Sequence, residues 1–240
     1  MNADATTILE HLRAVTLERE RRAASPALTA KVHALKAYQQ RRFSHTYADL
    51  LAAPRYAGAS RFFLDELYGP KDYSERDAQF ARVVPALVRL FPKEIVRTVG
   101  TLGELHALSE MLDSLAASKL ESVGIDAAAY ARAWQATGHA QDRERQIALT
   151  LAVGEALDRL TRNPLLRHTL HMMRGPARAA GLGELQHFLE SGFDTFKAMH
   201  GARDFLSTIG SRERALAAAL FGASFDAAGR IGDTALGQLP

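Results

Sequence analysis

Apolar residues at helical spacing, interrupted by proline, glycine and serine, run along nearly the whole chain, and strand-like alternation is almost absent. Such a chain has to bury its apolar side chains helix against helix. Thr7 with Glu10 reads as a capping box for a first helix reaching about Arg22. Ser25-Pro26 gives the next helix an N-cap and a first-turn proline, with Leu28, Val32 and Leu35 on its inner side. That helix runs towards His45 and on, bent, to about Ala53, where Pro54 stops it. Further helices are expected over residues 60–68, 75–91, 93–123, 127–137, 142–161, 164–173 and 182–200, with two pieces over 202–209 and 212–221. Pro85 is expected to kink or end its helix, Gly175-Pro176 to break the chain, and Ser211 to cap the last helix. The pattern predicts an all-α bundle of about ten helices without a sheet. No connection resembles a long linker, so one helical domain over residues 1–222 and a Gly/Ala-rich tail over 223–240 are expected.

Composition removes several kinds of chemistry. The absence of cysteine excludes disulfides, thiolate metal sites and a cysteine nucleophile. Residues 1–22 contain no uninterrupted apolar stretch, and no window reaches the roughly 18 apolar residues that span a bilayer. A cytoplasmic protein without a transmembrane segment is the expectation. The net charge of +3 becomes a nucleic-acid footprint only if it is concentrated. Its one concentration is Arg19, Arg21, Arg22, Lys31, Lys36, Arg41 and Arg42, interleaved with Tyr38, Phe43 and Tyr47. A solvated helix face is the first reading of that stretch, and a phosphate-binding face the second.

Helical geometry sorts the motifs that could carry chemistry. Glu184 and His187 form an E-x-x-H pair of the kind that binds iron in helical bundles. At about 100° per residue, however, they fall about 100° and 160° from Leu185 on the inner face, and so point to solvent. His168 and His171 fall opposite Leu166, Leu170 and Met173, as surface histidines do. His106, Glu110 and Asp113 lie between about 80° and 140° from Leu105, at the edge of the apolar stripe. There a carboxylate could orient the imidazole as it does for a metal ligand. Phosphate loops, dinucleotide loops, nucleophile elbows and H-E-x-x-H zinc helices are all missing.

The least generic stretch is residues 61–92, RFFLDELYGPKDYSERDAQFARVVPALVRLFP. It reads as a tight helix-turn-helix corner of paired acids and bases, or as a pocket built on Phe62, Phe63 and Tyr68 in which Arg61 or Arg76 holds an anionic ligand. A second pattern joins it: Leu102-Gly103-Glu104-Leu105-His106 is echoed by Leu182-Gly183-Glu184-Leu185 with His187.

The segments FFLDELYGP, YSERD and RVVPALVRLFP, with the later GLGELQHFLESGFDTFKAM, resemble an uncharacterised bacterial all-helical protein family of similar length. The resemblance implies no activity, cofactor or catalytic residue.

These residues support a helical binding or interaction protein first, with no catalytic residue assigned. A protein partner or self-association through an amphipathic face is expected, and a small anionic or apolar ligand at Arg61, Phe62, Phe63, Tyr68 and Arg76 is the alternative occupant. Haem or iron centred on His106 and Glu110, with Asp113, is the second reading. Nucleic-acid binding through the basic second helix is the third, disfavoured by the small charge surplus.

Overall fold

A computed structural model of the chain describes residues 3–67, 70–231, 236, 239 and 240. The helices are α1 (Ala3–Ala23), α2 (Pro26–Thr46), α3 (Ala48–Ala52), α4 (Pro54–Phe62), α5 (Ser74–Leu90) and α6 (Lys93–Lys119). They continue with α7 (Ala127–Thr137), α8 (Ala140–Leu160), α9 (Pro164–Met172), α10 (Arg174–Ala179), α11 (Gly183–Ala198) and α12 (Arg203–Gly222). A π-helical turn, Phe63–Leu67, extends α4. Among the described residues there is no strand, and one isolated bridge joins Phe225 to Ile231. The fold is an all-α bundle.

The sequence punctuation works where side chains can reach backbone. Ser25 accepts from the Leu28 N–H, Asp126 from Ala129 and Asn163 from Leu165. Gly138 closes α7 in the left-handed region, at φ 67°.

Elsewhere packing overrides it. α1 begins at Ala3, so Thr7 lies inside the helix and is not its cap. Pro54 occupies the first turn of α4, starting a helix as well as stopping one. α5 runs through Pro85, which sits on the exposed side of the helix. Gly175-Pro176 forms the first turn of α10.

The expected break before Ser211 does not occur, because Gly210 serves close packing instead. A Cβ there would lie 2.9 Å from Cδ1 of Leu151 on α8. Reciprocally, a Cβ on Gly154 of α8 would lie 2.5 Å from Cδ2 of Leu206 on α12. Each glycine is a socket for the other helix's leucine.

Among the described residues the buried apolar side chains form three clusters. One joins α2, α6, α7 and α12 through Leu35, Tyr38, Ala116, Tyr130, Trp134 and Leu220. A second joins α2, α4 with its π-helical turn, α11 and α12 through Phe43, Ala59, Phe63, Phe196 and Phe205. The third joins α1, α5 and α6 through Ile8, Leu12, Val84 and Val96.

Candidate functional site

Where the three clusters meet, the helices leave a cavity of about 550 Å³. Trp134 and Tyr130 of the first cluster, Phe43 and Phe63 of the second, and Leu12 of the third all line it. Its long walls are α5, α6 and α8, and α9 and α11 cover it.

Each long wall changes character at the same level. On α6, Ile95, Val99, Leu102 and Leu105 give way to His106, Ser109, Glu110 and Asp113. On α8 the order runs the other way, from Arg143, Gln146 and Thr150 to Val153, Leu157 and Leu160. The two helices are antiparallel, so their polar ends coincide: Gln146 donates to Ser109 Oγ (2.8 Å), while Arg159 reaches Glu94 at the far end (3.3 Å). Tyr73, at the cap of α5, and Arg76 and Asp77 on it precede Phe80, Val83 and Leu87. Asp77 Oδ2 lies 2.8 Å from His106 Nε2, which sets α5 in the same register. Ile95 to Asp113 is about 27 Å at a rise of about 1.5 Å per residue. The cavity is therefore long, apolar at one end and ionic at the other.

Acids from α5, α6 and α12 meet bases from α1 and α2 at the ionic end. Glu110, 3% exposed, accepts from Arg22 (2.5 Å) and Lys36 (2.8 Å), with Arg19 at 3.6 Å. Burial would raise the Glu110 carboxyl, but the charges of Lys36 and Arg22 outweigh it and pull it down to about 2. Asp113 accepts from Gln39 (3.0 Å) and lies 4.0 Å from Lys36. Its burial prevails, and its carboxyl is raised above the ordinary carboxylate range. Asp77 meets Arg19 (2.8 Å) as well as His106. Burial would raise this carboxyl too, but the His106 hydrogen bond and the nearby cations hold it below its usual value. Arg42 pairs with Glu213, which also accepts from Tyr47 (2.7 Å). Arg76 lies over the rings of Tyr73 (4.2 Å) and Phe188 (4.5 Å) and donates to the Glu66 carbonyl (3.0 Å).

The sequence-derived candidates divide accordingly. Phe62, Phe63 and Arg76 line the cavity, as do His106, Glu110 and Asp113. The aromatic corner and the boundary trio thus border one space. Phe62 comes close to α11 because position 192 is glycine: a Cβ there would lie 3.1 Å from its ring. Arg61 is exposed and does not line the cavity, and Tyr68 lies outside the described residues. Among the described residues no group of three or more His, Asp or Glu side chains is placed to hold a metal ion.

The basic stretch is a solvated face only in part, at Arg21 and Arg41, which are exposed. Arg22, Arg42, Tyr38, Phe43 and Tyr47 are buried, and Arg19 and Lys36 turn inward to the acids. Glu184, His187 and His168 are exposed, as the helical wheel places them. The echoed segments diverge: His106 faces the ionic cluster and His187 faces solvent.

Sequence reasoning missed the α8 wall, Arg143, Gln146 and Thr150, together with Gln39 and Trp134. Their signal was polar residues three and four apart on a face continued by Val153 and Leu157, readable as a boundary stripe. Among the described residues no helix is long and apolar enough to cross a membrane.

No curated protein and no solved structure matches the chain. A family model described as a domain of unknown function, DUF8198, matches residues 18–227, which takes in every wall of the cavity except Leu12. The chain is a member of the DUF8198 family.

Proposed function

We propose that this protein is a small-molecule carrier or sensor whose interior takes up an elongated amphipathic ligand. The carrying observation is the common apolar-to-ionic change along α5, α6 and α8. A volume of about 550 Å³ falls within the range of ligand pockets, about 300–1,000 Å³. A chain-like apolar tail fits the leucine- and valine-lined length, and a polar head fits the level of His106 and Gln146. The ionic end favours an anionic head. Arg19, Arg22, Lys36, Arg42, Arg76 and Arg143 stand against Glu66, Asp77, Glu110, Asp113 and Glu213, six cations to five acids. The reading assigns binding and no chemical step.

The test is titration with a neutral naphthylamine fluorophore, displaced by long-chain carboxylic acids and by the matched amines. Saturable binding at one site, displaced more strongly by the acids, is expected. Val153→Trp, which fills the apolar wall, is expected to weaken it at least about tenfold, the loss of about 1.4 kcal/mol. Absence of saturable binding in the unsubstituted protein would refute the reading.

A second reading, haem or iron at His106, is favoured by one observation: this imidazole borders the cavity and is oriented by the Asp77 carboxylate, as metal-bound histidines are. A Soret band or stoichiometric iron in the purified protein would support it over the first.

A further inference from the structure

We infer that the apolar end of the cavity opens on a surface built to dock on an anionic lipid bilayer. Eight large hydrophobic side chains are exposed among the described residues: Leu90 and Phe91 stand at the corner where the apolar lengths of α5 and α6 meet, Leu165 and Met172 lie on α9, Met173 at its end and Leu189 on α11. Leu90, Phe91, Met173 and Leu189 also line the cavity, Leu90 and Phe91 at its apolar end.

The exposure follows from how the elements meet. Phe91-Pro92 turns the chain between α5 and α6, leaving Leu90 68% and Phe91 41% exposed at the corner. α9 packs mainly on α10 and α11. One flank is tied to α11 by Arg167 and Asp194 (3.1 Å). Leu166, Leu170 and Met173 turn into the cavity, and Leu165 and Met172, seven residues apart and so on one line of the helix, stay 69% and 66% exposed. An apolar patch of this kind marks an interaction surface.

Charge selects the occupant. Arg89, Lys93 and Arg97 flank the Leu90-Phe91 corner, all exposed, and make no ion pair among the described residues. The acid at the corner, Glu94, is taken by Arg159 (3.3 Å). Leu90 and Phe91, apolar side chains that can enter the acyl boundary, flanked by three cations, match an anionic bilayer. Docking there would place the opening against the hydrocarbon, so that an amphipathic ligand passes without crossing water. This last step rests on the cavity reading; the docking itself does not.

The test is flotation of the whole chain with vesicles of phosphatidylcholine alone and with about a third phosphatidylglycerol. Binding to the anionic vesicles, lost at high salt and absent from neutral ones, is expected. Arg89→Glu/Lys93→Glu/Arg97→Glu is expected to weaken it at least about 100-fold and Leu90→Ser/Phe91→Ser about tenfold. Leu17→Ser, at an exposed leucine away from the opening, is expected to leave it unchanged. Circular dichroism and the midpoint of urea unfolding establish that each variant folds. No association with anionic vesicles at low salt, or undiminished association of both rim variants, would overturn the inference. So would a dimer in the absence of lipid that Leu90→Ser/Phe91→Ser dissolves, which would identify the surface as a contact between copies. Val153→Trp is expected to block the fluorophore and keep vesicle binding, which separates failure of the cavity reading from failure of the docking surface.

Discussion

Replacing Glu110 by glutamine removes the charge at the centre of the ionic cluster while keeping its shape. The magnitude follows from the structure. The carboxyl falls from an ordinary 4.5 to about 2 on folding. At about 1.4 kcal/mol per pKa unit this corresponds to about 3 kcal/mol of stability at neutral pH. Breaking a buried pair by removing one partner costs a similar amount, about 3–5 kcal/mol. Glutamine keeps one acceptor for Arg22 or Lys36, and Lys36 retains Asp113 at 4.0 Å, so the lower end is expected. Because the folded pKa is depressed, this stabilisation is present above the unfolded value of 4.5 and is lost as pH falls through about 2. At pH about 3, less than half of it remains. Urea unfolding followed by the fluorescence of Trp134, the one tryptophan, measures this directly. With an m-value of about 3 kcal/mol per molar, the Glu110→Gln midpoint is expected about 1 M lower at pH 7, with the gap narrowing at pH 3. An unchanged midpoint at pH 7, or a gap that stays constant with pH, would refute the argument that an ionised Glu110 holds the cluster together.

Two further expectations concern the scaffold. Gly154→Val forces two methyl groups against Leu206, and the overpacking is expected to cost about 1–3 kcal/mol, read as a fall in Tm of about 2–4 °C per kcal/mol. A Tm at or above that of the unsubstituted protein would contradict the socket packing of α8 on α12. Asp126→Ala removes the cap that accepts from Ala129 (2.7 Å) and is expected to cost about 1 kcal/mol in urea unfolding, with fluorophore binding unchanged. Loss of binding in that variant would mean that the start of α7 supports the cavity.

Helicity and much of the punctuation were legible in the sequence because they depend on neighbours along the chain. Ser25, Asp126, Asn163 and Gly138 act on backbone groups a few residues away. Ser211 misled because helix signals compete with packing that lies far off in sequence: Gly210 receives Leu151 from α8. The cavity was not legible. An apolar stripe facing a void has the same spacing as one facing a core, so Ile95, Val99 and Leu102 read as interior packing. The trio His106, Glu110 and Asp113 could be placed at a stripe's edge. Its partners Arg22, Lys36 and Gln39 lie 74 to 88 residues away, and nothing local announces them. The same long-range pairing is why the basic stretch read as a solvated face. Its cations find acids only when α1 and α2 pack on α6.

The central claim is a polarity: head group at the ionic end, tail at the apolar end. Trp134 lines the cavity with Arg143 over its ring at 4.3 Å, and so reports on the ionic end. Quenching of its fluorescence by long-chain carboxylic acids brominated beside the carboxyl or near the tail tests that polarity at short range. The head-brominated acid is expected to quench Trp134 strongly and saturably, and the tail-brominated acid weakly. Equal quenching by both, stronger quenching by the tail-brominated acid, or no saturable quenching would contradict the account.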